Sequence, residues 1–168
     1  MKPGKVVELV AMFEGFKSAP YKDAGGVWTI GFGSTFIRGV PVSGDHPHIN
    51  RIDAMDDLTM RLFHLEGKLR NRITQYLPNK KPPAHQVDAM ISLADNIGLD
   101  AFEKSTLFES MIAGAEVWNI YGSWLAWSHV KGKLTVGLWQ RRMAEAYLYA
   151  WGWKEAGKAF AGIGNLPD

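Results

Sequence analysis

Ile52, Met55, Leu58, Leu62, Leu65, Leu69, Ile73 and Tyr76 step by three or four residues, a spacing that brings each side chain back to one face of a helix for about seven turns. This is the clearest element of the chain, and the rest must be arranged so that its apolar stripe is covered. Asn50 stands at the N-cap position, with Asp53, Asp56 and Asp57 near the positive helix end. Pro78 and Pro82-Pro83 then stop the helix. Beyond them Val87, Met90, Ile91 and Ala94 form a stripe closed by Gly98. Thr106-x-x-Glu109 is a capping-box pattern opening a short helix that ends near Gly114, and Gly137 opens another through Leu138, Met143, Ala146, Tyr147 and Ala150. The tail after Lys154, with Gly157, Gly162 and Gly164, is expected to be loosely held.

Upstream, Val6, Val7, Val10 and Phe13 share a helix face that Gly15 can terminate. Between Pro20 and Ile37 the helical period disappears. Tyr21, Val27, Trp28, Thr29 and Ile30 flank Gly25-Gly26, the pattern of a tight hairpin. The 168 residues are 46% hydrophobic, which fits one globular domain or a closely packed pair of lobes. With 18 glycines and 8 prolines the chain stays below the roughly 25–30% of low-complexity sequences.

Several function classes fall away on composition. Cysteine is absent, which excludes disulfides, thiolate zinc sites, iron–sulfur clusters and cysteine nucleophiles. The longest uncharged runs, Ala24 to Ile37 and Val117 to Val130, have 14 residues each, short of the roughly 20 of a spanning helix. Glu8 interrupts the apolar stretch behind Lys2 and Lys5, so no export signal is expected. A net charge of +2 is a mild bias toward anionic partners, and a dedicated nucleic-acid binder would be more basic.

The chemistry-bearing stretch runs from Glu14 to Gly33. Glu14 closes the first helix beside Val7, Val10 and Ala11. A carboxylate there is disfavoured by the helix dipole and by desolvation unless a cation offsets both. Asp23 sits on a polar, glycine-rich turn and Thr29 follows six residues later. Cleaving a glycosidic bond takes one protonated carboxyl, which donates to the leaving oxygen, and a second, ionised group on the opposite face of the sugar. Apolar neighbours favour the first role for Glu14, and the turn favours the second for Asp23. Thr29 has the hydroxyl to orient a water. By residue chemistry alone, though, two ordinary surface acids nine residues apart are the commoner outcome.

Glu14-Gly15, Tyr21-Lys22-Asp23, Gly26 and Thr29-Ile30-Gly31-x-Gly33 resemble the Glu-Asp-Thr catalytic signature of phage lysozymes, the endolysins of glycoside hydrolase family 24, with matching offsets of nine and six. The similarity continues at Gln86-Val87-Asp88-Ala89 through Asn96-Ile97-Gly98, at Phe102 with Ser105-Thr106-Leu107, and at Gly137-Leu138-x-x-Arg141-Arg142-x-Ala144-Glu145. The resemblance implies an α+β, lysozyme-like fold, mostly helical, with a small β-hairpin lobe and a long helix linking the two lobes. Over residues 1–168 that is a single lysozyme-like domain: a small β lobe at about 16–50, and a helical lobe at about 51–168 plus the N-terminal helix 4–14.

By the same resemblance Glu14 is the general acid, Asp23 holds or activates the attacking water and Thr29 helps place it. The implied activity is a muramidase cleaving the β-1,4 bond between N-acetylmuramic acid and N-acetylglucosamine in peptidoglycan, with no metal or other cofactor. Inversion, usual in the family, needs room for water and hence carboxyls about 6.5–9.5 Å apart. One of Arg141-Arg142, with Arg142 preferred as the supporting residue, is expected to return to Glu14; the alternative is that both are solvated or buttress Glu145. The implied partner is bacterial peptidoglycan, with no stable membrane insertion and a monomer as the default. The implied setting is host lysis, with accumulation in the host cytoplasm and dependence on a holin-type membrane lesion to reach the wall. A lytic transglycosylase, which relies on one Glu, and a catalytically silent wall-binding phage protein are the rival readings. Ser34 departs from the histidine that many members carry after the glycine pair, and Asp95 from an aromatic before the Asn-Gly-type segment.

Weaker signals have plainer explanations. Asp45-His46-Pro47-His48 reads as a solvated loop rather than a metal site. Gly31-x-Gly33 lacks the third glycine of a dinucleotide fingerprint, since Phe36 occupies that place. Six of the seven tryptophans lie between Trp118 and Trp153, at spacings that favour core packing. Lys80-Lys81 and Lys131-x-Lys133 suit either attraction to an anionic wall or ordinary solvated loops.

Overall fold

The computed structural model describes residues 4–159. Helix α1 (Lys5–Glu14) leads into the antiparallel pair β1 (Lys17–Lys22) and β2 (Trp28–Gly31), then the short pair β3 (Phe36–Ile37) and β4 (Val40–Pro41). The long α2 (Arg51–Tyr76) follows, then α3 (Ala84–Ile97), α4 (Leu99–Glu103), α5 (Thr106–Ile112) and α6 (Val117–Leu125). A 3-10 turn at Ala126–Ser128 opens onto the hairpin β5 (His129–Val130) and β6 (Lys133–Leu134), and α7 (Val136–Ala159) completes the described residues. The result is mostly helical with small antiparallel strand pairs, in keeping with the expected α+β, lysozyme-like class.

The residues divide into two compact units, Met1–Phe63 and His64–Asp168, and α2 contributes to both. In the first unit α1 ends where Gly15 adopts φ 68°, and the Gly15 N–H donates to Ala11 O at 3.1 Å. That conformation is cheap only for glycine. It turns the chain straight into β1 and leaves Glu14 as the last helical residue. The β1–β2 register pairs Tyr21 with Thr29 and Lys22 with Trp28, and is irregular between Lys17 and Tyr21, where Pro20 has no N–H to give. Val7, Leu9, Val10, Ile30, Phe32 and Leu58 are buried in this unit.

The long helix is capped as expected, with Asp53 N–H donating to Asn50 Oδ1 at 2.8 Å. Its stripe is buried at Leu58, Leu62, Leu69 and Ile73, but Ile52 is 75% exposed and Tyr76 also faces solvent. In the first turn the buried residue is Ala54, because a Cβ on Gly31 would lie only 3.1 Å from the Ala54 Cβ. Two backbones meet there at a distance that only small residues allow.

In the second unit Gly98 (φ 87°) closes α3 as expected. The α5 cap is Ser105 rather than the capping box at Thr106: Ser105 Oγ accepts from Phe108 N–H at 3.1 Å. Helix α7 continues to Ala159 with a break at Gly152 (φ 79°), so the segment from Lys154 to Ala159 is helical rather than loose. Gly162 and Gly164 lie outside the described residues. The expectation of core tryptophans holds for Trp124, which is fully buried, but not for Trp118, Trp139 or Trp151. Trp118 and Trp151 instead join an exposed ring cluster with Tyr121 and Tyr147, their centroids 5.3 Å apart.

Candidate active site

Each member of the expected triad falls in the first unit. Asp23 starts the loop joining β1 to β2 and binds itself to it. Its Oδ1 accepts from the backbone N–H of Gly25 at 2.9 Å and of Val27 at 2.8 Å. Its own N–H donates to Val27 O at 3.0 Å, and Gly26, at φ 80°, donates to Asp23 O at 2.9 Å. An aspartate that hydrogen-bonds the backbone just ahead of it makes a self-contained turn. All of this rests on Oδ1, and Oδ2 takes no bond among the described residues. Oδ2 is therefore open to water.

Thr29, in β2, is 3% exposed, and its hydroxyl donates to Val27 O at 3.1 Å. The same carbonyl thus holds both Asp23 and Thr29. Having given its proton to Val27, Thr29 Oγ1 keeps lone pairs that can accept from a water. Sequence reading had no access to this anchor, because the Val27 side chain plays no part in it.

Glu14 is half-buried at the end of α1. Its carboxyl lies against Gly33: a Cβ there would come 3.2 Å from Glu14 Oε2 and 3.9 Å from Arg61 Nη1. Gly33 also has φ 80°, so any other residue would be strained as well as crowded. Arg61 of α2 donates from Nη1 to Gly33 O at 2.9 Å and from Nη2 to Phe32 O at 3.0 Å. Ser34, at the family's histidine position, is buried and donates from Oγ to Asp57 Oδ2 at 2.5 Å.

Tyr21 is influenced by both carboxyls. Burial, then the charge of Glu14, then that of Asp23 hold its phenol above the ordinary tyrosine range. Both acids therefore act on one hydroxyl, which stays neutral and available as a donor. Tyr21 is also the strand partner of Thr29. Its place in the Tyr-Lys-Asp motif was visible in the sequence, but the influence of both acids on its phenol was not.

Arg142, the expected supporting residue, belongs to the second unit and is completely buried. It donates from Nη1 to Asn96 Oδ1 at 3.1 Å and from Nη2 to Glu145 Oε1 at 3.0 Å. Its Nε lies 2.8 Å from Glu145 Oε2, an ion-pair distance without the alignment of a hydrogen bond. Arg141 reaches the same carboxylate from Nε at 3.1 Å and Ser92 O from Nη2 at 3.1 Å. The two arginines thus both reach Glu145. His46 and His48 line a cavity of about 400 Å³ with Asp53, Asp56 and Asp57. Among the described residues no three such side chains converge as a metal site would require.

The comparisons with known proteins agree with one another. The model of the family described as phage lysozyme matches residues 11–145. The endolysin of Acyrthosiphon pisum secondary endosymbiont phage 1 is 30% identical over 151 residues, 86% of this chain and 94% of that protein. Among solved structures, the endolysin from Escherichia coli O157:H7 phage FAHEc1 aligns with a TM-score of 0.74 at 28% identity, covering 89% of this chain and 93% of that one. The muramidase domain of SpmX from Asticaccaulis excentricus aligns with a TM-score of 0.70 at 25% identity, covering 86% and 93%.

Proposed function

The chain belongs to the phage lysozyme family, and from that premise we propose that Glu14, Asp23 and Thr29 hydrolyse the β-1,4 bond between N-acetylmuramic acid and N-acetylglucosamine. The protein is an endolysin-type glycoside hydrolase acting on peptidoglycan. The observation that carries the assignment of roles is the asymmetry of the two carboxyls. Asp23 has one oxygen spent on its turn and the other open, whereas Glu14 is half-buried against Gly33.

In this reading Glu14 gives its proton to the leaving glycosidic oxygen as the C1–O bond breaks. A water held between Asp23 Oδ2 and Thr29 Oγ1 attacks C1 from the other face and passes a proton to Asp23. The transition state is oxocarbenium-like, and the anionic Asp23 stabilises it as well as activating the water. Attack on the opposite face inverts the anomeric centre. Tyr21 serves as a neutral donor near both acids. Replacing Arg142 with Ala tests the pairing with Glu14 that the resemblance implies: lower turnover with a shifted pH profile favours it, and an unchanged rate and profile discard it. The enzyme works as a monomer, accumulates in the host cytoplasm and reaches the wall after a holin-type lesion opens the membrane.

Purified peptidoglycan digested by wild type and by Glu14→Gln provides the test. New reducing ends without anhydro-muramic products, lost in Glu14→Gln, are the expected result. Anhydro products would make the enzyme a lytic transglycosylase, and wall binding without any product would leave a silent wall-binding protein.

A further inference from the structure

We propose that Arg61 is a positioning residue for the Glu14 carboxyl, acting through the turn that carries Gly33, with Ser34 and Asp57 as a second anchor. The inference rests on the reading of Glu14 as the proton donor.

Glu14 ends α1, so the helix holds its backbone, and its carboxyl lies against Gly33, whose missing side chain leaves room for Oε2. Gly33 is itself part of a tight turn. Ile30 and Ser34 close its base with reciprocal backbone bonds of 2.9 Å each. The carbonyls of Phe32 and Gly33 are left without partners in that pairing, and a turn satisfied only by water at its tip would shift by more than a proton donor tolerates.

Arg61 removes that freedom. Its planar fork takes both carbonyls at once, at 3.0 and 2.9 Å, a geometry that an ammonium group cannot copy. One helical turn earlier on α2, Asp57 accepts from the buried Ser34 hydroxyl. Helix α2 therefore grips residues 32, 33 and 34 in succession, and the surface on which Glu14 Oε2 rests becomes rigid with that helix. The same guanidinium brings a positive charge to the point beside Gly33 that Oε2 occupies. The clamp is spread over residues 28 and 23 positions apart in the chain, which is why no motif displays it.

Arg61→Met, Arg61→Lys and Ser34→Ala, checked for folding by thermal melts, supply the test on soluble peptidoglycan fragments. A misplacement near 1 Å costs about 100-fold in rate. Arg61→Met is thus expected to lose about 100-fold in kcat with KM nearly unchanged. Arg61→Lys, which keeps the charge but not the fork, should recover only a small part of that loss, and Ser34→Ala should show a smaller loss of the same kind. The ¹³C shift of the Glu14 carboxyl, followed in labelled protein, should move in Arg61→Met; it reads the positioning even if wild type releases no reducing ends. Wild-type kcat in folded Arg61→Met, a change confined to KM, or an unmoved Glu14 resonance overturns the proposal.

Discussion

Replacing Glu145 by Gln removes a full negative charge and almost no volume from a site with no solvent access. Oε1 accepts from Ser92 Oγ at 2.6 Å, Arg141 Nε at 3.1 Å and Arg142 Nη2 at 3.0 Å. Oε2 accepts from Trp124 Nε1 at 3.0 Å and faces Arg142 Nε at 2.8 Å. Every partner is a donor, so whichever way the amide is turned, its NH₂ meets an N–H or O–H and one bond becomes a conflict. A buried donor left unsatisfied costs about 1–3 kcal/mol. Breaking a buried pair and leaving its cations uncompensated costs about 3–5 kcal/mol. These overlap, and a loss of about 4 kcal/mol is expected, large beside the roughly 5–15 kcal/mol that holds a domain together. Urea unfolding at pH 7, followed by tryptophan fluorescence, reads it directly. With a slope of about 2 kcal/mol/M the midpoint should fall by about 2 M. Adding Arg142→Met should return part of the loss by removing one of the stranded charges. A midpoint within 0.5 M of wild type, roughly 1 kcal/mol at that slope, would refute the view that Glu145 neutralises this core.

Substitutions at two further positions probe local features. Ser105→Ala removes the α5 cap and should cost about 1 kcal/mol, while Ser105→Asp, which keeps an acceptor, should cost less; equal melting temperatures for the two would exclude a capping role. Asp88 is held above the usual carboxylate range, chiefly by burial, with the 2.8 Å bond from Trp153 Nε1 opposing the shift. The folded state then binds its proton more tightly than the unfolded chain, so ionised Asp88 weakens folding at neutral pH, and the penalty disappears as pH falls below the unfolded value. Asp88→Asn keeps an acceptor for Trp153 and should stabilise at pH 7 but not near pH 3; a gain that is the same at both values would remove titration of Asp88 as the cause.

Much of this molecule was determined by spacing along the chain. The extent of α1 and its stop at Gly15, the turn around Gly25-Gly26, the long α2 with its Asn50 cap and the closure of α3 at Gly98 all follow from interactions reaching four residues or fewer. The same holds for Asp23, whose turn is made by its own neighbours. Such features depend on periodicity and on where glycine or a short polar side chain stands, and both can be read before any folding is known. Even here the cap is Ser105, whose hydroxyl oxygen accepts from Phe108 N–H, rather than Thr106.

Tertiary structure alone decided which surfaces meet. Ile52 has the spacing of a core residue, yet Ala54 is buried in its place because Gly31 approaches so closely. Trp118, Trp139 and Trp151 are as apolar as Trp124, but Trp124 has a buried carboxylate for its indole N–H. Glu145 gathers Ser92 from 53 residues away and Trp124 from 21, and Arg61 reaches back 28 residues to Gly33. A charge or a donor in the sequence states what kind of partner it needs. Which partner it obtains depends on the packing of whole elements, because only the folded chain brings distant groups within hydrogen-bond reach and removes the water that would otherwise satisfy them.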